Sequence, residues 1–284
     1  MLRKIIVPVR GDVMIDTVLE HATSLARQHG AHLVVAHCRK SSKDLRPYSR
    51  ALPGFARKTM MAQAETLADQ EEQDVREKLH QFALSVDMPE TDTPVAGTAS
   101  IAFVEEYGQM IDVIKHNGRL ADLVVVNQPR RDLNIGTNAL QSALYETGRP
   151  VLMCPHDVHV VPDLGAHIAI AWNGSLEASR AVATTLDLAL AARKVTILTG
   201  GKGEPHGATA EELVGYYQMR GITAEINRFD TRNPGAELLA KTTEVGANLL
   251  VMGAYGHNHE RETLFGGNTQ VVVDKAKIPV VLVH

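Results

Sequence analysis

Lys4-Ile5-Ile6-Val7-Pro8-Val9-Arg10-Gly11-Asp12 opens the chain, and His167-Ile168-Ala169-Ile170-Ala171-Trp172-Asn173-Gly174-Ser175 answers it in the second half. Each segment is a short apolar run that reaches a polar residue, then a glycine, then a residue suited to cap a helix. The correspondence continues in the same order. Ala121-Asp122-Leu123-Val124-Val125-Val126 matches Ala247-Asn248-Leu249-Leu250-Val251-Met252, and Arg149-Pro150-Val151-Leu152-Met153 matches Ile278-Pro279-Val280-Val281-Leu282. An internal repeat fixes the architecture before any local assignment does. The separation between matched segments shrinks after the first pair, so the first copy carries extra residues in its middle. The polar stretch 39–57, with Pro47 and Pro53-Gly54, is the natural place for them.

Each copy alternates strand and helix. In the second copy, apolar runs at 168–172, 195–198, 223–228, 249–252 and 280–283 read as strands. Helical spacing covers 176–192, 211–220 and 234–244, with another helix inside 267–277. Ser175 is suited to cap the first of these. Pro234 opens a later one, and Gly221 and Gly246 follow helix ends. The first copy reads as strands near 5–9, 33–38, 93–96, 123–126 and 151–153. Its helix from 56 to about 82 is long, with charges on a face read as solvated. Strands alternating with helices imply right-handed crossovers and a parallel sheet. The expected fold is therefore α/β, two tandem doubly wound, Rossmann-like domains of five strands each. Pro155, Pro162 and Gly165 interrupt the pattern, which sets the domains at 1–156 and 165–284.

The 284 residues suffice for two ordinary cores, and a charged fraction of 22% is ordinary for a globular chain. A net charge of −4 supplies no basic field for nucleic acid or an anionic membrane surface. No run approaches the length of a membrane helix. Pro8 and Arg10 cut the first apolar run too early for a signal peptide. Cys38 and Cys154 each end an apolar run, which predicts buried, reduced thiols and a cytoplasmic chain.

Chemistry concentrates after the fourth strand of the second copy. Gly253-Ala254-Tyr255-Gly256 is followed nine residues later by Gly266-Gly267-Asn268-Thr269 and a helix. Open parallel sheets bind ligands at the carboxyl ends of strands, where strand order reverses. Glycines let the backbone approach a ligand, and a helix N-terminus offers unpaired N–H groups and partial positive charge. The segment reads as a polyphosphate cradle, with Asn268 and Thr269 as further donors. The alternative is that the glycines only serve tight turns.

The whole chain resembles the universal stress protein family in its tandem form, and this segment is similar to the family's Gly-x2-Gly-x9-Gly-Ser/Thr ATP signature. The resemblance implies ATP, with Mg²⁺, at Gly253, Gly256, Gly266 and Gly267. Gly267 stands where the family has Ser or Thr and keeps only the N–H. Asn173 stands at the family's acidic adenine and ribose position, and Thr199 at a position flanking adenine. The resemblance further implies a stress-response regulator acting through a protein partner. It also implies antiparallel pairing of 151–153 with 280–282 as an intrachain pseudo-dimer, with further homodimerisation left open.

The first copy departs from this pattern. Asn127-Gln128-Pro129-Arg130-Arg131-Asp132 lacks the early glycines, Pro129 removes a donor, and Arg10 replaces the acid. ATP is not expected there in the family's mode. Arg10, Arg130 and Arg131 are either solvated loop residues or a basic mouth for another anion. Among the 13 histidines, His257, His259, His156 and His159 have no accompanying metal-ligand cluster, so no metal site is assigned. No P-loop and no poised acid–base pair is present, so catalysis is expected to be absent or at most a slow ATPase. The remaining alternative is a scaffold or small-ligand binder without nucleotide.

Overall fold

The computed structural model describes residues 2–10, 15–39, 52–130, 136–156, 158–200, 207–230, 232–254 and 267–284. The first half runs β1 (Lys4–Val9), α1 (Asp16–His29), β2 (His32–Arg39), α2 (Gly54–Ser85), β3 (Ser100–Tyr107), α3 (Met110–Gly118), β4 (Leu123–Asn127), α4 (Thr137–Glu146) and β5 (Val151–Cys154). The second runs β6 (His167–Ala171), α5 (Leu176–Thr184), α6 (Leu186–Ala191), β7 (Lys194–Gly200), α7 (Ala210–Gln218), β8 (Ala224–Phe229), α8 (Pro234–Glu244), β9 (Leu249–Gly253), α9 (Gly267–Lys275) and β10 (Val280–Val283).

All strands join one ten-stranded sheet in the order β3-β2-β1-β4-β5-β10-β9-β6-β7-β8. Pairing is parallel within each half. It is antiparallel at the centre, where Val280, Val281 and Leu282 face Met153, Leu152 and Val151. The intrachain pairing expected from the resemblance is thus present, and it covers an edge that each half alone would expose. The strands are apolar in continuous runs because helices cover both faces. One face buries α1, α2, α5 and α7, including Leu19, Leu79, Val182 and Tyr217. The other buries α3, α4, α8 and α9, including Ile114, Leu140, Leu238 and Val272. Right-handed crossovers send the helix after the first strand of each half to one face and the helix after the fourth to the other. Strand order therefore reverses between β1 and β4, and again between β6 and β9.

The extra residues of the first half lie between β2 and β3. Leu33 pairs with Ile101 there, whereas Val195 pairs with Ala224 in the second half. Much of the insertion is helix, since α2 has 32 residues against nine in α7. Only Val75, Leu79 and Ala83 of α2 are buried, so most of its charges are solvated, with Asp69 and Glu72 turned to the sheet instead. Arg39 ties α2 to the sheet, donating to Glu72 Oε2 at 2.7 Å and pairing with Asp69 and Glu105.

Two local expectations are corrected. The third strand is Ser100–Tyr107, not 93–96. Pro94 offers no N–H, Gly97 turns at φ 84°, and 93–98 are exposed, while Ser100 to Phe103 are buried against β2. The helix expected over 176–192 is two helices. Thr185 interrupts it at φ −109° and ψ 16°, and its hydroxyl donates to the Ala181 carbonyl at 2.6 Å. A Thr that bonds back to the preceding turn bends a helix. Ser175 caps α5 by accepting from Ala178 N, and Pro234 opens α8, as the sequence indicates. Thr209 and Glu212 form a capping box at the start of α7. Cys38 and Cys154 are free and buried.

Candidate functional site

Both strand-order reversals place loop ends together, and the two halves furnish them differently. In the second half, β6 ends at Trp172-Asn173-Gly174. Trp172 is buried in the core, and its Nε1 donates to the Ala208 carbonyl at 3.0 Å. Gly174 has φ 75°, and a Cβ there would stand 2.9 Å from Gly207 N and Ala208 O. The backbone at 207–208 therefore crosses tightly over the carboxyl end of β6. Asn173 is exposed, and its Oδ1 accepts from Ser175 N at 3.1 Å, an Asx-type turn. That bond orients the side chain. Thr199 is half-buried near the end of β7, opposite Arg228 of β8.

Gly253 ends β9 beside these groups. A Cβ at this position would lie 2.5 Å from the Glu177 carbonyl carbon and 2.6 Å from Ala178 N. The first turn of α5 therefore sits directly on Gly253, and packing alone requires a glycine there. Gly256 and Gly266 lie outside the described residues, as do Arg131, His257 and His259. α9 begins at Gly267. Gly267 and Asn268 are exposed, Thr269 is buried, and no acid occupies the first turn. A Cβ on Gly267 would meet nothing within 4 Å. Thr269 is thus placed toward the core, whereas Gly267 and Asn268 at the start of the helix are exposed among the described residues.

In the first half, a cleft of about 820 Å³ opens at the carboxyl ends of β1 and β4. Arg10, Gln128, Arg130, Thr137, Gln141 and His156 supply much of its polar lining. α4 starts at its floor after Gly136, which has φ 84° and lies against Pro129. Arg10 and Arg130 are half-buried in this lining, not fully solvated. Gln128 is buried and also reaches across the halves, donating from Nε2 to the carbonyls of Val273 at 2.7 Å and Ala276 at 3.3 Å. Its Oε1 accepts from His156 N at 3.3 Å. The loop of one half thereby caps the C-terminus of α9 in the other. Gln128 and Gln141 carried no local motif, and only the packing of distant elements reveals them. Burial raises the thiol pKa of Cys154, at the end of β5, so it stays protonated. Among the described residues no cluster of His, Cys, Asp or Glu suits a metal, and no helix is long and apolar enough to cross a membrane.

These features define a tandem, doubly wound α/β protein with two switch points, the first of them opening on a cleft. Residues 205–284 match the family model described as the Universal stress protein family. That segment is thus similar to the universal stress protein family, and over its length the chain has the fold of solved universal stress proteins. A universal stress protein from Archaeoglobus fulgidus superimposes with a TM-score of 0.72 at 14% identity, covering 99% of this chain and 95% of that one. A universal stress protein from Pseudomonas aeruginosa UCBPP-PA14 gives 0.56 at 17% identity, with 99% and 93% covered. A functionally unknown protein from Pseudomonas aeruginosa PAO1 gives 0.56 at 18% identity, with 99% and 92% covered. No curated protein matches the chain.

Proposed function

We propose that the chain is a stress-response regulator of two domains, 1–156 and 165–284, that binds ATP or a related adenine nucleotide in the second. The phosphates, with Mg²⁺ when present, rest on the N-terminus of α9 and the backbone of the glycine segment. Asn173 and Thr199 face the adenine and ribose side. The observation that carries this reading is the start of α9 beside the β6–β9 reversal, where Gly267 and Asn268 are exposed among the described residues and the first turn holds no acid. The residues fit a phosphate chemically, since a helix N-terminus supplies N–H donors and partial positive charge. ATP hydrolysis is absent or slow, because the site's described side chains include no general base directed at a nucleophilic water. The nucleotide selects one conformation, and a protein partner reads it.

Gly267→Asp tests the reading without threatening the fold. The added side chain has open space. Its carboxylate at a helix N-terminus stabilises the helix by about 0.3–1 kcal/mol. The same charge repels phosphate. Calorimetric titration with ATP is expected to show saturable binding in the parent chain and at least about tenfold weaker binding in Gly267→Asp. Absence of saturable ATP binding in the parent refutes the proposal.

A further inference from the structure

We infer that the cleft of the first half is a second binding site, taking a small organic anion with an apolar body and not a nucleotide. Two of its donors are shielded from solvent. Arg10 follows β1, and its Nε is shielded from solvent without a hydrogen-bond partner. Its Nη2 lies 3.9 Å from Cys38 Sγ, a weak acceptor. Gln141, on α4, has its Nε2 shielded and unpartnered in the same way. Both residues line the cleft. A buried donor without an acceptor is destabilising, so each calls for an acceptor that the described residues do not supply.

The setting favours a negative one. α4 has ten residues and starts at the cleft behind Gly136, with no acid in its first turn. Its free N–H groups and dipole act at the same place as Arg10. Arg130 adds a second positive charge to the lining. The carboxylate among the lining residues, Glu146, is at the opposite end of α4 and pairs with Lys115 at 3.3 Å.

The remaining walls are apolar. Val9, Ile15 and Val18 come from one side of the sheet edge, and Met110 and Ile111 from the other. A cavity of about 820 Å³ is far larger than an inorganic anion and suits a drug-sized molecule. A bare phosphate would leave these walls wet. An anionic head on Arg10, Gln141 and the α4 terminus, with a hydrocarbon or aryl body against the walls, satisfies both parts. After β4 the chain reads Gln128-Pro129-Arg130, without the two early glycines of the second half, Gly253 and Gly256, and with no N–H at Pro129; Gly136 before α4 is the glycine that remains in this loop.

The test is fluorescence titration of the full chain with anilinonaphthalene sulfonate, an aryl sulfonate that brightens in apolar surroundings, followed by displacement with octanoate. One saturable site is expected, displaced by octanoate but not by octanol or inorganic phosphate. Arg10→Leu removes a charge-assisted bond and is expected to weaken binding about tenfold or more. Asn138→Asp, an exposed first-turn position where an acid favours the helix, leaves α4 folded while repelling the head group, so it covers a failure of Arg10→Leu to fold. Gly267→Asp is expected to leave this site unchanged, which separates it from the nucleotide reading. Probe binding unaffected by both Arg10→Leu and Asn138→Asp overturns the inference. So does displacement by ATP as effective as by octanoate in the Gly267→Asp chain.

Discussion

Replacing Gln128 with Leu tests whether the two halves are one cooperative structure. Leucine keeps most of the side-chain volume, so the change isolates hydrogen bonding from packing. Gln128 donates to two carbonyls at the C-terminus of α9, Val273 at 2.7 Å and Ala276 at 3.3 Å, and accepts from His156 N. Val273 and Ala276 are buried, which restricts water from replacing the amide. Leaving a buried polar group unsatisfied costs about 1–3 kcal/mol. The Val273 bond is short and the other two are longer, so the loss is expected to total about 2–4 kcal/mol. Gln128→Glu is the sharper variant. Its carboxylate would face the negative end of α9, and a helix C-terminus disfavours an anion. The folded-state pKa of this Glu is then raised above its unfolded value of about 4.3, so stability present below that pH is lost as pH rises through the folded-state value. Equilibrium urea unfolding, followed by circular dichroism and by the fluorescence of Trp172, measures both. Gln128→Leu within about 0.5 kcal/mol of the parent, at unchanged denaturant slope, would refute the reasoning.

Gly253→Ala is expected to destabilise the chain by about 1–3 kcal/mol, because its Cβ would press on the backbone of the first turn of α5. Thermal denaturation without nucleotide checks this, and an unchanged Tm would return the glycine to a purely ligand-facing role. His21 is fully buried with its Nε2 unpartnered, and burial lowers its pKa. Burial shifts His29, His32, His37 and His167 the same way. A histidine whose folded-state value is depressed gives stability above its unfolded pKa of about 6.5, lost as pH falls below it. Urea midpoints are therefore expected to fall between neutral and mildly acidic pH, with a shallower fall in His21→Gln. Equal slopes for the two proteins would remove His21 from the account.

The fold was legible because the repeat is written in strands that both copies need. β1 and β6, β4 and β9, and β5 and β10 share apolar runs buried on both faces, and burial on both faces leaves little freedom to diverge. β3 was misplaced because Thr93 and Val95 carry strand propensity, while Pro94 and Gly97 deny those residues a ladder. The two candidate sites show a different limit. A glycine pattern announces the second-half loop, yet the pattern mixes two physical demands. Gly253 is required by the approach of Glu177 and Ala178, and Gly267 has open space, so equal letters in one motif answer to packing in one place and access in the other. The first-half cleft carries no motif, since Arg10, Met110, Gln128 and Gln141 converge from four separate segments. Its divergence from the second half follows from the central pairing. Gln128 N bonds to Cys154 O, and Ala254 N bonds to Val283 O, so the two residues occupy matching places beside β5 and β10. A glutamine in one place and an alanine in the other mean that the first half hydrogen-bonds α9 from this position, whereas the second meets α4 through His284, whose ring lies edge-on to Tyr145 at 4.8 Å. The strands preserve the repeat because both copies must close the same sheet. The loops beyond them are free to differ, and there the two halves take on separate work.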